Sequence, residues 1–151
     1  AIHEQTGLDL VHLDQVYWQA HWKESTLEVF RKAVGKEVQK DNWVMDGNYS
    51  STFDLRLPRA THIIFLDFPT YHCLYRILKR YWQHRGQTRL DMTAECPERI
   101  NWEFIHYVLT YNWTRRAGIH KKLEKLKEKT KIFVLNNARQ VAEFLESLPL
   151  Q

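Results

Sequence analysis

The sequence is short of the features that would place it quickly. It holds two cysteines, Cys73 and Cys96, in 151 residues. That is too few for a disulfide framework and suits a reduced, cytoplasmic protein. No apolar run approaches the ~20 residues of a membrane span, and no secretory pattern opens the chain, so no membrane partner is expected. The eight histidines lack the i, i+4 pairing and neighbouring thiols of a zinc site, which argues against a structural metal. There is no internal repeat and no low-complexity stretch. The phosphate-cradling pattern G-x-x-x-x-G-K-[ST] occurs nowhere in the chain.

What is present is an ordinary globular composition, 44% apolar and 26% charged. The length predicts a single domain over residues 1–151, long enough to bury a core. A net charge of +4 and a pI of about 9.1 favour a polyanionic partner, which a nucleotide satisfies as well as a nucleic acid does.

The apolar spacing alternates between strand and helix. Leu8 to Leu13 reads as a strand ending at Asp14. Ser25-Thr26-Leu27-Glu28 has the form of a capping box, after which Leu27, Phe30, Val34 and Val38 recur at helical spacing. Trp43 to Met45 and His62 to Leu66 are short continuous apolar runs, as in strands covered on both faces. After Pro69, Leu74, Ile77, Leu78 and Tyr81 form a helical stripe. A second long helix, opened by Pro97, carries Trp102, Ile105, Val108, Leu109 and Trp113, with Gly118 near its end. Lys131 to Asn136 is a further strand, and Val141, Phe144, Leu145 and Leu148 form the last helical face. Strands separated by helices pair in parallel, so the pattern predicts an α/β fold with a doubly wound parallel sheet.

Three of these runs stop at an aspartate: Asp14, Asp46 and Asp67. In an open parallel sheet, ligands sit beyond the carboxyl ends of the strands. One aspartate there is an ordinary turn residue. Three on one rim repel one another unless a metal, a substrate amine or arginines lie among them. Arg76 and Arg80 fall one helical turn apart, largely opposite the apolar stripe, and Arg85 and Arg89 flank Gly86-Gln87-Thr88. A solvated basic face accounts for such a run. It also suits a lid over about residues 81–97 that closes on phosphates, because guanidinium pairs with them bidentately. Ala1 to Gly7 reads as the tail of a helix stopped by glycine. With no phosphate cradle visible, we expect an upstream strand, loop and most of a helix, about 20 to 25 residues.

Four stretches carry a resemblance: "HLDQVYW" (12–18), "WVMDGNYSSTFDLRL" (43–57), "THIIFLDFP" (61–69) and "RILKRYWQHRGQTRLDM…CPERINWEF" (76–104). In that order, over nearly the whole chain, they resemble the DNA topology modulation protein family. That family is similar to adenylate kinase and belongs to the P-loop NTPases. The resemblance implies a parallel five-stranded core, an arginine-bearing lid, ATP and Mg2+ as cofactors, and a Walker A loop that this sequence lacks. It matches Asp46 to the third-strand aspartate that helps hold the water shell of magnesium, for which one carboxylate suffices. Asp14 matches the position turned toward the phosphoryl acceptor, as base or hydroxyl anchor, with Trp18 and Trp22 walling the acceptor pocket. Arg56, with Arg59 second, is the candidate for the acceptor's anionic group. Arg76, Arg80, Arg85 and Arg89 match the lid arginines, Arg80 also reaching the nucleotide, and Asn136 and Asn137 pass near the adenine. Adenylate kinases carry Phe-Pro-Arg after the third-strand Asp-Gly, where Asn48-Tyr49-Ser50 stands here, so AMP is not assumed as acceptor.

The expected function is therefore ATP-dependent phosphoryl transfer to a nucleotide or small-molecule acceptor. The alternative is a DNA-binding protein without kinase activity, suggested by the family's name, the pI and the basic stretch His120 to Lys129. In that stretch the signs alternate and Leu123 and Leu126 turn inward, which reads most simply as a solvated helix face.

Overall fold

The structure, a computed structural model, describes residues 1–89 and 91–148. The chain folds as two compact units. The first comprises Ala1–Arg59, Gln87–Pro97 and the residues from Ala142 on; the second comprises Ala60–Gly86 and Glu98–Val141.

In the first unit, α1 (Ile2–Thr6) is stopped by Gly7, left-handed at φ 64°, whose N–H bonds back to the His3 carbonyl. Strand β1 (Leu10–His12) runs directly into α2 (Leu13–Tyr17). The two-residue strands β2 (Trp18–Gln19) and β3 (Lys23–Glu24) form an antiparallel ribbon around a left-handed turn at His21 and Trp22. Thr26 then caps α3 (Leu27–Val38), its hydroxyl accepting from the Val29 N–H. Phe30, Val34 and Val38 lie on one face of α3 at intervals of four and are fully or almost fully buried, together with Leu13. Each such side chain contributes about 1.5–3 kcal/mol by leaving water. Leu27, expected on that face, is 57% exposed, because its position in the first turn lies before the face meets the core. Strand β4 (Val44–Asp46) pairs in parallel with β1 in the register Leu10↔Val44, Val11↔Met45 and His12↔Asp46. A turn and the short helix α4 (Phe53–Arg56) follow.

In the second unit, β5 (His62–Leu66) leads through Pro69 into α5 (Thr70–His84). Helix α6 (Trp102–Tyr111) passes through a π-helical turn at Asn112–Arg116 into α7 (Ala117–Glu124). Strand β6 (Lys131–Leu135) pairs in parallel with β5 from His62↔Lys131 to Leu66↔Leu135. Helix α8 (Ala138–Glu146) begins in this unit and ends in residues of the other. Helical crossovers are what a parallel pair requires.

The architecture is mixed α/β with short parallel sheets. One continuous doubly wound sheet was expected, but among the described residues each sheet has two strands. Two boundaries also move. Leu13 leaves the predicted strand to open α2, where it is fully buried. The second long helix opens at Trp102 rather than Pro97, because Asn101 accepts the Glu103 and Phe104 N–H groups and fixes the start there. Its expected apolar face is partly turned out, with Trp102 76%, Leu109 43% and Trp113 84% exposed. Among the described residues no helix is long and apolar enough to cross a membrane.

Candidate functional site

The parallel register of β1 and β4 sets the geometry of the first unit's carboxyl edge. It places His12 level with Asp46, and His12 Nδ1 lies 3.2 Å from Asp46 Oδ2. Asp14 stands in the first turn of α2, just past β1. The chain leaving β4 turns sharply at Gly47, at φ 134°, where a Cβ would come within 2.9 Å of the Leu13 Cβ. Only glycine fits that turn without a shift. The turn delivers Tyr49, whose hydroxyl donates to Asp14 Oδ1 at 2.5 Å. Burial first, and then the Asp14 carboxylate, push the Tyr49 pKa far up, so the phenol remains a donor.

Beside this pair lies a cavity of about 630 Å³, walled by the rings of Tyr17, Trp18 and Tyr49 and edged by Glu24, Thr26 and Ser51. The Tyr17 hydroxyl donates to Glu24 Oε2 at 2.9 Å. The Tyr17 ring meets Trp18 edge-on at 5.1 Å and tilts against Tyr49 at 5.0 Å, within the range of favourable aromatic pairs. Trp22 packs edge-on to Trp18 at 5.3 Å, and its Nε1 donates to the Pro97 carbonyl at 3.2 Å.

Arg56 sits inside the turn. It is 7% exposed; its Nε donates to Thr52 Oγ1 at 2.9 Å and its Nη2 to the Tyr49 carbonyl at 3.1 Å. Burial lowers its pKa to about 10, against an upward pull from Asp46. Arg59 reaches Gln39 Oε1 at 3.5 Å. Neither arginine is among the residues lining the cavity.

Asp67 belongs to the second unit, and its cations are supplied by the protein. Arg116 Nε donates to both carboxylate oxygens at 2.7 and 3.0 Å, and Nη2 adds a third bond at 2.6 Å. His120 Nε2 lies 3.0 Å from Oδ2. The Arg116 bonds lower the Asp67 pKa, with His120 adding to them against the cost of burial. Sequence reasoning passed over both partners, although their i, i+4 spacing puts them on one helix face.

Three of the four expected lid arginines are already engaged. Arg80 Nε lies 3.2 Å from Glu98 Oε1, and that carboxylate is buried. Arg85 stacks over the Tyr81 ring at 5.9 Å, and Arg76 is exposed on α5. These three stand in the second unit; Arg89, in the first, lies 3.1 Å from Asp91 Oδ1. Asn137 Oδ1 accepts the Gln140 N–H at 2.9 Å, and the Asn136 N–H donates to Gln140 Oε1 at 2.7 Å, so this pair secures the start of α8.

For magnesium, Asp46 offers one exposed carboxylate. Among the described residues no three His, Cys, Asp or Glu side chains converge on a metal position. A single carboxylate fits an ion that keeps most of its waters and takes further ligands from phosphates. Tyr17, Tyr49 and Glu24 complete the site without having been singled out in the sequence. No family model, no curated protein and no solved structure matches the chain.

Proposed function

We propose that this chain is the acceptor-binding portion of an ATP-dependent phosphotransferase of the P-loop type. One observation carries it: Asp14, fixed by Tyr49 at the carboxyl edge of a parallel strand pair, stands beside a ring-walled cavity. That is where α/β enzymes bind their substrates. Asp14 anchors the acceptor hydroxyl and receives its proton as the phosphoryl group arrives. Tyr49 orients the carboxylate through the hydrogen bond that its hydroxyl donates. Bound ATP and magnesium supply the phosphoryl group and neutralise its charge. Asp46 holds waters of the metal shell.

The strand pairing supports the same conclusion. In a doubly wound sheet the first strand lies where the strand order reverses, so strands two and three fall to one side and four and five to the other. The parallel pairs β1–β4 and β5–β6, each within its own unit, are compatible with such an order. The proposal requires a Walker A loop, and that pattern does not occur among these 151 residues. Arg80, in the second unit, and Arg89, in the first, each face a carboxylate that a phosphate oxygen would have to displace.

The test is acceptor-dependent ATP consumption by the chain joined to its P-loop segment, screened over alcohols, nucleosides and nucleotides. Asp14→Asn should lower kcat by about 10²-fold or more with an unchanged melting temperature. If no acceptor stimulates ATP consumption, the assignment fails.

Nucleic-acid binding is the second reading, and one observation favours it. On α5, Tyr71, Tyr75 and Trp82 are 75%, 62% and 74% exposed, interleaved with exposed Arg76 and Lys79. No acidic residue occurs between Asp67 and Asp91. Rings and cations on one helix suit stacked bases and their phosphates. Salt-sensitive oligonucleotide binding that is lost in Trp82→Ala, with ATP irrelevant, supports this reading over the first.

A further inference from the structure

We propose that the cavity of the first unit takes a hydroxylated organic amine, with its ammonium group among the rings and its hydroxyl toward Asp14, and that it rejects phosphate esters. The inference rests on the phosphotransferase reading of this site and names its acceptor class.

The wall chemistry carries it. Three aromatic residues, Tyr17, Trp18 and Tyr49, line one space together with Glu24. A cation is attracted by the electron-rich faces of such rings and by the carboxylate together. Asp14 adds a second negative charge just behind the Tyr49 hydroxyl. No lysine or arginine is among the described residues lining the cavity.

The neighbouring arginines are committed elsewhere. Arg31 forks onto Asp54 at 2.8 and 2.6 Å and also donates to the Ser51 carbonyl. Arg56 is buried within the Tyr49–Thr52 turn, with donors directed to Thr52 and to the Tyr49 carbonyl. A phosphomonoester in this cavity meets the Glu24 carboxylate and no lysine or arginine among the lining residues, and the like charge disfavours it. A neutral ring compound gains the stacking but leaves the carboxylates without a counter-charge. An amine satisfies both features. In the transfer itself, the acceptor oxygen forms the new P–O bond as the bond from the γ-phosphorus to the bridging oxygen breaks. The hydroxyl proton passes to Asp14, and ADP leaves.

The test is direct binding to the full chain, by calorimetry and by quenching of tryptophan fluorescence, with choline, tyramine, adenosine and AMP as probes. Choline and tyramine should bind at least tenfold more tightly than adenosine, and AMP more weakly than adenosine. Glu24→Gln, a change at an exposed position, should cost the amines about tenfold and leave adenosine unchanged. Trp18→Leu should weaken both amines while the melting temperature shows the fold intact. AMP or adenosine binding as tightly as the amines overturns the proposal, as does failure of both amines to bind. Amine binding together with no phosphoryl transfer to any acceptor in the ATP-consumption screen upholds this inference and removes the kinase assignment. Transfer to a phosphate-bearing acceptor does the reverse.

Discussion

Gly47 is the residue on which the site's geometry turns. Its φ of 134° and the 2.9 Å approach of a would-be Cβ to Leu13 both exclude a side chain. Gly47→Ala should cost about 1–3 kcal/mol and displace Tyr49 from Asp14, so stability and cavity binding should fall together. Gly35, inside α3 with nothing within 4 Å of a built Cβ, is the matched control. Gly35→Ala should be neutral or stabilising by up to about 1 kcal/mol. Thermal melts of the two variants check the pair, and equal losses would remove the geometric argument. Asp67 makes a separate prediction. Its folded pKa lies below the ordinary carboxylate value of 3.8, so its contribution is complete above that value and is lost as pH falls through the lowered one. Arg116→Ala should flatten the acid limb of a stability–pH curve. At neutral pH it should cost about 1–3 kcal/mol, toward the low end because Arg116 is 46% exposed. An acid limb identical to that of the parent chain would show that the bidentate pair does not set it.

At the scale of elements, legibility followed locality. Strand β5 occupies the predicted residues His62–Leu66, because an uninterrupted apolar run between turn residues has little else to become. Helix α3 declared itself through one apolar face, though its cap is Thr26 rather than the Ser25 of the expected Ser25–Glu28 capping box. Helix α5 was legible as a helix, but its buried face was not, since it carries two apolar stripes. Leu74, Ile77 and Tyr81 are half-buried, whereas Tyr71, Tyr75, Leu78 and Trp82 are exposed. Periodicity reports that a helix has a face, not which of two faces meets the core. The site itself was half legible. Asp14, Asp46 and Trp18 stood out because strand ends and aromatic residues are local signals. Tyr49 finds Asp14 across 35 residues, and Arg116 and His120 find Asp67 across 49 and 53. Such pairs are created by the fold, and a single sequence does not display them. The π-helical turn at Asn112–Arg116 sharpens the point. An inserted residue there alters the phase of α7, and Arg116 closes the turn.

Across the whole molecule, the described residues form parallel sheets of two strands, a size at which a sheet has as many edges as strands. Strand β4 has a strand neighbour on its β1 side only, and β5 on its β6 side only. A row of backbone donors and acceptors without a strand opposite it is a template for any extended peptide. The chain should therefore behave as a receptor for strands before it behaves as a catalyst. At rising concentration it should self-associate through edge pairing, giving oligomers of increased β content in sedimentation and infrared measurements. Supplying an apolar, β-prone peptide in trans should suppress that association, and a chain that stays monomeric at millimolar concentration would show both edges to be protected. Completeness in such a fold is a property of hydrogen-bond valence, and each two-stranded sheet keeps open valences at its own edges.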